Sequence, residues 1–443
     1  MSENLSAAEN ASAPSLSQLL NSTDFAAVTD PRQLPQPAAL PIQQATHKIC
    51  PEHFIVNEQL DIEFSGEGEH LWVFIQKTGM NTVHAAKLLA DWACIPERDV
   101  GYSGLKDRQA VTTQWFSLRI PNRTLPEVAF NPSLANDTVI DEQNESAAVA
   151  IKTADETTTP QEQIAVLEQH WHNKKLSHGA HKANQFILTL TEVQADDQAA
   201  VESRLQQIAQ NGVPNYFGGQ RFGHGGNNIS EALKWFHDEA LKAATKVNTE
   251  QSENSGDTDN KRDDKRGNRK NDHKKNRKIS KRLREQHSMR LSAARSLIFN
   301  RILASRVADN TWNSGLVGEV FNLAGTGSIF TSEQLDDTLL ERLQAQDIHP
   351  TAPLWGLDND KVSGDARELE EQIIASEPVL TRLAQGLEAQ QIKAQRRALR
   401  LVPQELAWQW LDEASLQLQF SLPTGSYATS VLYSLVQQLN SHQ

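Results

Sequence analysis

Strand-type patterns stand near both ends of this 443-residue chain, and helix-type patterns fill the middle. Near the start, "FIVNEQLDIEF" (54–64) and "HLWVFIQKTG" (70–79) read as two strands around the turn "SGEGE". Gln114, Phe116, Leu118 and Ile120 then alternate with Trp115, Ser117 and Arg119, the period of a half-buried strand. "AVLEQHWHNKKLSHGAHKANQFILTLTEV" offers two more strands around a basic, His-containing connection. Strand character returns in "LQLQFSLPTGSYATSVLYSLVQQLN", with a turn at Pro423-Thr424-Gly425 and then a short helix. Between about 212 and 400 helix patterns dominate, as in "SMRLSAARSLIFNRILASRV" and "ELEEQIIASEPVLTRLAQGLEAQQIKAQRRAL". This order predicts an α+β domain interrupted by a mostly helical one.

Two helices of the first part carry end signals. "NTVHAAKLLADWACI" has Asn81 or Thr82 as a cap and an expected buried stripe of Val83, Ala86, Leu89 and Trp92. "DDQAAVESRLQQIAQNG" has Asp caps, a Val201/Leu205/Ile208 stripe and a stop at Asn211-Gly212.

Residues 1–46 are rich in Ala, Ser, Gln and Pro and predict a disordered leader. They lack the basic start and apolar core of a secretory signal. No apolar run approaches the ~20 residues of a membrane span. Cys50 and Cys94 are the only cysteines and form no CxxC, which fits a reducing cytoplasm. Two irregular inserts are expected, an acidic one at about 121–163 and a basic one at about 244–280. The net charge of −13 therefore hides a strong local asymmetry and does not exclude RNA. The inserts themselves are expected to be solvated, the basic one at most an accessory electrostatic contact.

Several chemistries fail on spacing. "NYFGGQRFGHGGNNISEALKWF" is Gly-dense ahead of a helix, yet fits neither GxGxxG nor GxxxxGK[ST], so no nucleotide cofactor is expected. Tyr216, Phe217 and Phe222 beside Arg221 there tip the reading slightly towards contacts with looped RNA. His170, His172, His178 and His181 cluster without HExxH or Cys pairing, so no metal is expected. No GxSxG elbow is present. In "GYSGLKDRQAVTTQW" (101–115), Asp107 lies between Lys106 and Arg108. Nearby cations favour the charged form of a carboxylate. The residues alone leave Asp107 open between a turn position and a reactive group.

"GLKDRQAVTTQW", "HKANQF", "GVPNYFGGQRFGHGGNN", "LSAARSLIFN" and "LPTGSYATSV", in that order, resemble the TruD family of tRNA pseudouridine synthases. "PEHFIVNEQLDIEFSGEGEHLWV" is similar to that family's N-terminal segment. The resemblance runs from about 47 to 436 and lapses over the leader and the two inserts. It implies a pseudouridine-synthase-type mixed-sheet domain from 47–211 and 402–443, interrupted by an inserted, mostly helical TRUD domain at 212–401. It implies isomerisation of uridine in tRNA, at position 13, with Asp107 as the essential catalytic residue and no cofactor or metal. Phe54, Asn184, Phe186 and Tyr427 are carried over as the uracil pocket. Lys48 is the expected ion-pair partner of Asp107, and Arg221, Arg290 and Arg295 are candidate RNA contacts. Tyr427 stands where the family usually has Phe, and Cys50 where it commonly has Asn; Cys50 is given no role. The expected partner is tRNA, with no membrane, for a cytoplasmic monomer. Two other readings are an inactive RNA-binding or chaperone protein of the same fold, and a nucleoside-hydrolase-like glycosidase that releases free uracil.

Overall fold

The computed structural model describes residues 14–127, 129–130, 162–254 and 280–441. Residues 1–13 of the leader and most of both the acidic and the basic stretches fall outside these. Two compact units emerge, one of Met1–Ala38 with Pro214–Arg400, the other of Ala39–Val213 with Leu401–Gln443.

In chain order, α1 (Leu16–Ser22) and α2 (Phe25–Thr29) belong to the first unit. The second unit follows, with β1 (Ile42–His47), β2 (Phe54–Gln59), β3 (His70–Thr78), α3 (Thr82–Trp92), β4 (Val100–Tyr102), β5 (Val111–Arg119), β6 (Gln163–His172), β7 (Ala183–Ala195) and α4 (Gln198–Asn211). β8 (Val213–Pro214) leads into α5 (Asn227–Asn254), α6 (Lys281–Ala308), β9 (Val320–Leu323), β10 (Ile329–Thr331), α7 (Asp337–Gln344) and β11 (Ile348–Leu354). The first unit ends with α8 (Gly364–Ser376), α9 (Pro378–Ala389) and β12 (Gln395–Ala398). After β13 (Arg400–Leu401), the second unit is completed by β14 (Gln404–Asp412), β15 (Ser415–Pro423), α10 (Ala428–Tyr433) and β16 (Val436–Ser441).

One mixed sheet organises the second unit, in the order β14-β15-β7-β2-β5-β3-β6, with β4 beside β5 and β1 between β7 and β16. The pairs β2/β5 and β1/β16 are parallel and the others antiparallel. Strand parity builds the inner face. Phe54, Val56 and Glu58 of β2 lie opposite Leu188, Phe186 and Asn184 of β7, and Phe420 and Leu422 of β15 follow across the next ladder. Val201, Leu205 and Ile208 of α4 and Val431 and Leu432 of α10 pack on this face. Each such buried Leu, Ile or Phe contributes roughly 1.5–3 kcal/mol of transfer free energy. At the other end of the sheet, α3 covers Leu71, Val73, Ile75, Phe116 and Leu118. The opposite side of β3 and β5 presents Trp72, Phe74 and Trp115 to Leu60, Ile62 and Phe64.

Helices predominate in the first unit, around a four-stranded sheet ordered β10-β9-β11-β12 that the helical patterns had not announced. A Cβ at Gly386 of α9 would lie 2.1 Å from the Phe236 ring of α5, so glycine permits that close approach.

Five expectations need correction. The leader is ordered from residue 14. Leu19 and Leu34 are buried, Arg382 Nη2 donates to Pro14 O at 2.6 Å, and Tyr216 Oη donates to Pro35 O at 3.0 Å. Its few apolar groups find their burial on distant parts of the first unit, which local composition does not register. The second unit's sheet starts at Ile42, not near 47. The presumed long helix at 368–399 breaks at Glu377-Pro378, because the residue before a proline is pushed out of the helical region; Glu377 has φ −123° and ψ 121°. On α3, Val83 is 53% exposed while Thr82, Ala85, Ala86, Leu88 and Leu89 are buried, so the buried face is rotated from the expected stripe. The helix α5 also continues to Asn254, into the stretch expected to be irregular.

Candidate active site

Asp107 lies on the loop between β4 and β5, and that loop is tied down on several sides. Thr82 Oγ1 accepts from Lys106 N at 2.8 Å and donates to Gln114 Oε1 at 3.0 Å. Gln114 Nε2 donates to Gly104 O at 3.2 Å. Lys77 projects from β3 with its side chain wholly buried; its Nζ donates to Met80 O at 2.6 Å and to Asp107 O at 3.0 Å. Burial pushes the Lys77 amine down to about 8, against the opposing pull of the Asp107 charge.

The Asp107 carboxylate itself faces outward and is 58% exposed, with Lys48 Nζ 2.8 Å from its Oδ2. Lys48 follows β1 in a left-handed conformation (φ 58°), and its ammonium also lies 3.8 Å from the Phe54 ring centroid. Neither sequence neighbour of Asp107 is paired with it. Arg108 Nε donates to Gly79 O at 2.9 Å and Nη2 to Glu162 Oε1 at 3.2 Å. Lys106 turns inward, with Nζ 3.1 Å from Glu58 Oε2.

Inside the loop runs a polar chain through the otherwise apolar inner face. Glu58 Oε1 accepts from Trp115 N at 3.1 Å. Lys106 Nζ donates to Asn184 Oδ1, Asn184 Nδ2 meets His181 Nε2 at 3.3 Å, and His181 Nδ1 meets Ser103 Oγ at 2.5 Å. Burial lowers the pKa of the Lys106 amine, opposed by Glu58, and lowers that of the His181 imidazole. Beyond Asn184 come aromatics. Phe186 stands edge-on to Phe54 at 6.3 Å and stacks on Phe420 at 5.7 Å. Phe54 and Phe186 are both buried, whereas Asn184 and Tyr427 are half-buried. Tyr427 precedes α10, and Thr424 Oγ1, in the turn before it, donates to His181 O at 2.6 Å. His47 Nδ1 beside Phe54 makes no hydrogen bond, and burial and Lys48 push its imidazole down to about 4. An open hollow of about 750 Å³ adjoins the loop, lined by Leu105 and Lys106 and by the start of α3.

The sequence reasoning named Lys48, Phe54, Asp107, Asn184, Phe186 and Tyr427, and all six belong to the second unit. Glu58, Lys77, Lys106 and His181 were not assigned to the site. Glu58 left a signal: a carboxylate at an inward position of an alternating strand requires a buried partner. The three arginines belong to the first unit and have partners there. Arg221 Nη1 donates to Ser292 Oγ, Arg290 pairs with Glu231, and Arg295 Nη2 donates to Leu354 O and Lys393 O. Tyr216, Phe217 and Phe222 are core residues, which corrects their reading as RNA-facing rings; Asn300 bonds both the N–H and the C=O of Phe217. Among the described residues no group of three His, Cys, Asp or Glu is arranged to hold a metal. His170 instead stacks on Phe64 at 4.4 Å.

Comparison with known proteins places the chain in a family. The family model for tRNA pseudouridine synthase D (TruD) matches residues 43–289 and 268–435. A tRNA pseudouridine synthase D of Psychrobacter arcticus is 50% identical, covering 94% of this chain and 96% of the relative. That of Xanthomonas euvesicatoria is 40% identical over 91% and 94%, and that of Pseudomonas putida 37% identical over 92% and 96%. A crystal structure of a Methanosarcina mazei protein superposes with a TM-score of 0.57 at 19% identity, covering 90% of this chain and 95% of that one. Fold and matches together define the class, a pseudouridine synthase. Within that class, the chain belongs to the TruD family.

Proposed function

We propose that this enzyme converts uridine to pseudouridine at position 13 of tRNA, with Asp107 as the catalytic carboxylate. The observation that carries the assignment is an exposed carboxylate 2.8 Å from a lysine that also lies against the Phe54 ring, on a loop anchored by Lys77 whose Lys106 meets Asn184.

The reaction breaks the C1′–N1 bond of uridine and forms a C1′–C5 bond, and the C5 proton is lost as N1 gains one. Atoms and electrons balance within one nucleotide, so no redox partner enters. A carboxylate suits two of the tasks, covalent addition to the sugar or base and removal of the C5 proton. The target base first leaves its stack, since its C5 cannot reach C1′ inside a folded RNA. Asn184 is the group that reads the uracil edge, with Phe54, Phe186 and Tyr427 forming the apolar surround.

The enzyme acts as a cytoplasmic monomer in this reading. No helix among the described residues is long and apolar enough to cross a membrane, and Cys50 and Cys94 are both free thiols. The test is to incubate unmodified tRNA with wild type and Asp107→Asn, then map pseudouridine and measure free uracil. Pseudouridine at position 13 from wild type alone is the expected result. Equal formation by both proteins overturns the role of Asp107, release of uracil marks a glycosidase, and binding without modification marks an inactive RNA-binding protein.

A further inference from the structure

Lys106 adjoins the catalytic carboxylate in sequence but spends its charge in the opposite direction. Its side chain is 5% exposed and that of its counterion Glu58 is wholly buried. Glu58 Oε2 makes no aligned hydrogen bond, so the contact with Lys106 at 3.1 Å is an ion pair without a directed bond. The directed bond of Lys106 Nζ goes to Asn184 Oδ1. A buried ion pair is weak support for stability, because the desolvation of both charges offsets most of their attraction. Its presence beside a pocket residue calls for another reason.

We infer that Lys106, held by Glu58, is a positioning residue that fixes the Asn184 amide so that its NH₂ faces the uracil as a hydrogen-bond donor. This rests on Asn184 being the uracil-reading group. An ammonium has three donors and no acceptor, so the atom that meets Lys106 is Oδ1, and the amide cannot turn over without placing its NH₂ against a cation. The other end of the amide is then the donor. One of its hydrogens points to His181 Nε2, which accepts as the bare nitrogen of a neutral ring carrying its proton on Nδ1 towards Ser103 Oγ. The second hydrogen is the one left for the substrate. A uracil carbonyl accepts from it. Where that carbonyl is O4, cytosine, which carries an amino group in its place, opposes it. The motif thus holds a carboxylate and a specificity device on adjacent residues, one facing out and one facing in.

The test uses turnover of tRNA transcripts carrying uridine, 2-thiouridine or 4-thiouridine at the target position. Sulfur accepts hydrogen bonds more weakly than oxygen, so wild type slows several-fold on one of the two analogues and not the other. Rates that ignore both substitutions overturn the inference without any variant. The paired substitution Glu58→Gln with Lys106→Met keeps the buried site neutral and frees the amide. We expect roughly tenfold slower turnover, tRNA affinity within twofold, and loss of the single-analogue sensitivity. In an Asn184→Ala background the same pair costs nothing further, because Lys106 acts through Asn184. Unchanged turnover of the pair, or an equal further loss in the Asn184→Ala background, overturns the inference. Wild-type turnover by Asn184→Ala instead overturns the reading of Asn184 itself.

Discussion

Lys48 Nζ lies 2.8 Å from Asp107 Oδ2 although 59 residues separate them, while the two cations adjacent to Asp107 in sequence turn to other partners. Proximity along the chain therefore gives the wrong electrostatic partner. The lysine that matters arrives from the end of another strand.

Asp107→Asn keeps the size of the side chain and removes its negative charge. Turnover is expected to fall by at least about 10²–10⁴-fold, the range for a catalytic proton-transfer group. The exposure of Asp107 predicts a melting temperature within a few degrees of wild type. Single-turnover pseudouridine mapping and thermal unfolding check both halves.

Lys48→Met removes the partner and leaves the carboxylate in place. Because the pair is partly exposed, folding stability changes by less than about 1 kcal/mol. The catalytic rate is expected to fall about tenfold or more, with tRNA affinity nearly intact. A loss that appears in Kd rather than in the single-turnover rate would make Lys48 an RNA contact instead.

Lys77→Met strips the donor from two carbonyls, Met80 O and Asp107 O, that hold the Asp107 loop. A buried carbonyl left unpaired costs about 1–3 kcal/mol, so the variant should melt several degrees lower. The rate constant should fall more than tRNA affinity, since the loop carries Asp107. Stability and single-turnover rate measured on one preparation separate the two effects.

His47 and His349 are both pushed down to about 4, chiefly by burial and further by Lys48 and Arg400 respectively. The folded chain keeps these rings neutral, while the unfolded chain binds protons below about 6.5. Between those values the unfolded state holds more protons, so stability rises with pH. The contribution is fully present above pH 6.5 and lost as pH falls to 4. The melting temperature should drop through that window, and the double variant His47→Gln, His349→Gln should flatten the drop. An unchanged slope in that variant would place its origin elsewhere.

Deleting residues 1–38 removes Leu19, Leu34, and the carbonyls that Arg382 and Tyr216 donate to. Two lost leucine burials alone are worth about 3–6 kcal/mol. Thermal unfolding of the truncated chain should show a clear loss, and an unchanged melting point would return the whole segment to the status of a tail.

Sequence patterns reported strands wherever one face is buried and the other is wet or differently packed. β2, β3 and β5 were legible for that reason. β9, β10 and β12 were not, being only three or four residues long, and β11 is buried along nearly its whole length and so shows no alternation. β1 is paired with β7 and β16, and nothing local to 42–47 announces either. The break at Pro378 was present in the sequence and outweighed by the helical periodicity around it. At the site, residue chemistry alone left Asp107 undecided, and family blocks supplied its company. Lys77 remained hidden because a lysine in a strand of alternating hydrophobics reads as surface until its carbonyl partners are seen.

The parallel pairing of β1 with β16 joins Ile42 to Val436. During synthesis the first strand of this sheet therefore waits for about 390 residues to emerge, on the order of 20–80 s at ~5–20 residues per second. The helical unit encoded between them has time to fold while its host is still missing an edge. Closure of this sheet waits on β16, and a nascent chain stalled before residue 436 would carry Lys48 and Asp107 on an unfinished frame. A truncation that removes β16, which supplies no pocket residue of its own but pairs with β1 as far as His47, should thus be felt as a failure of assembly.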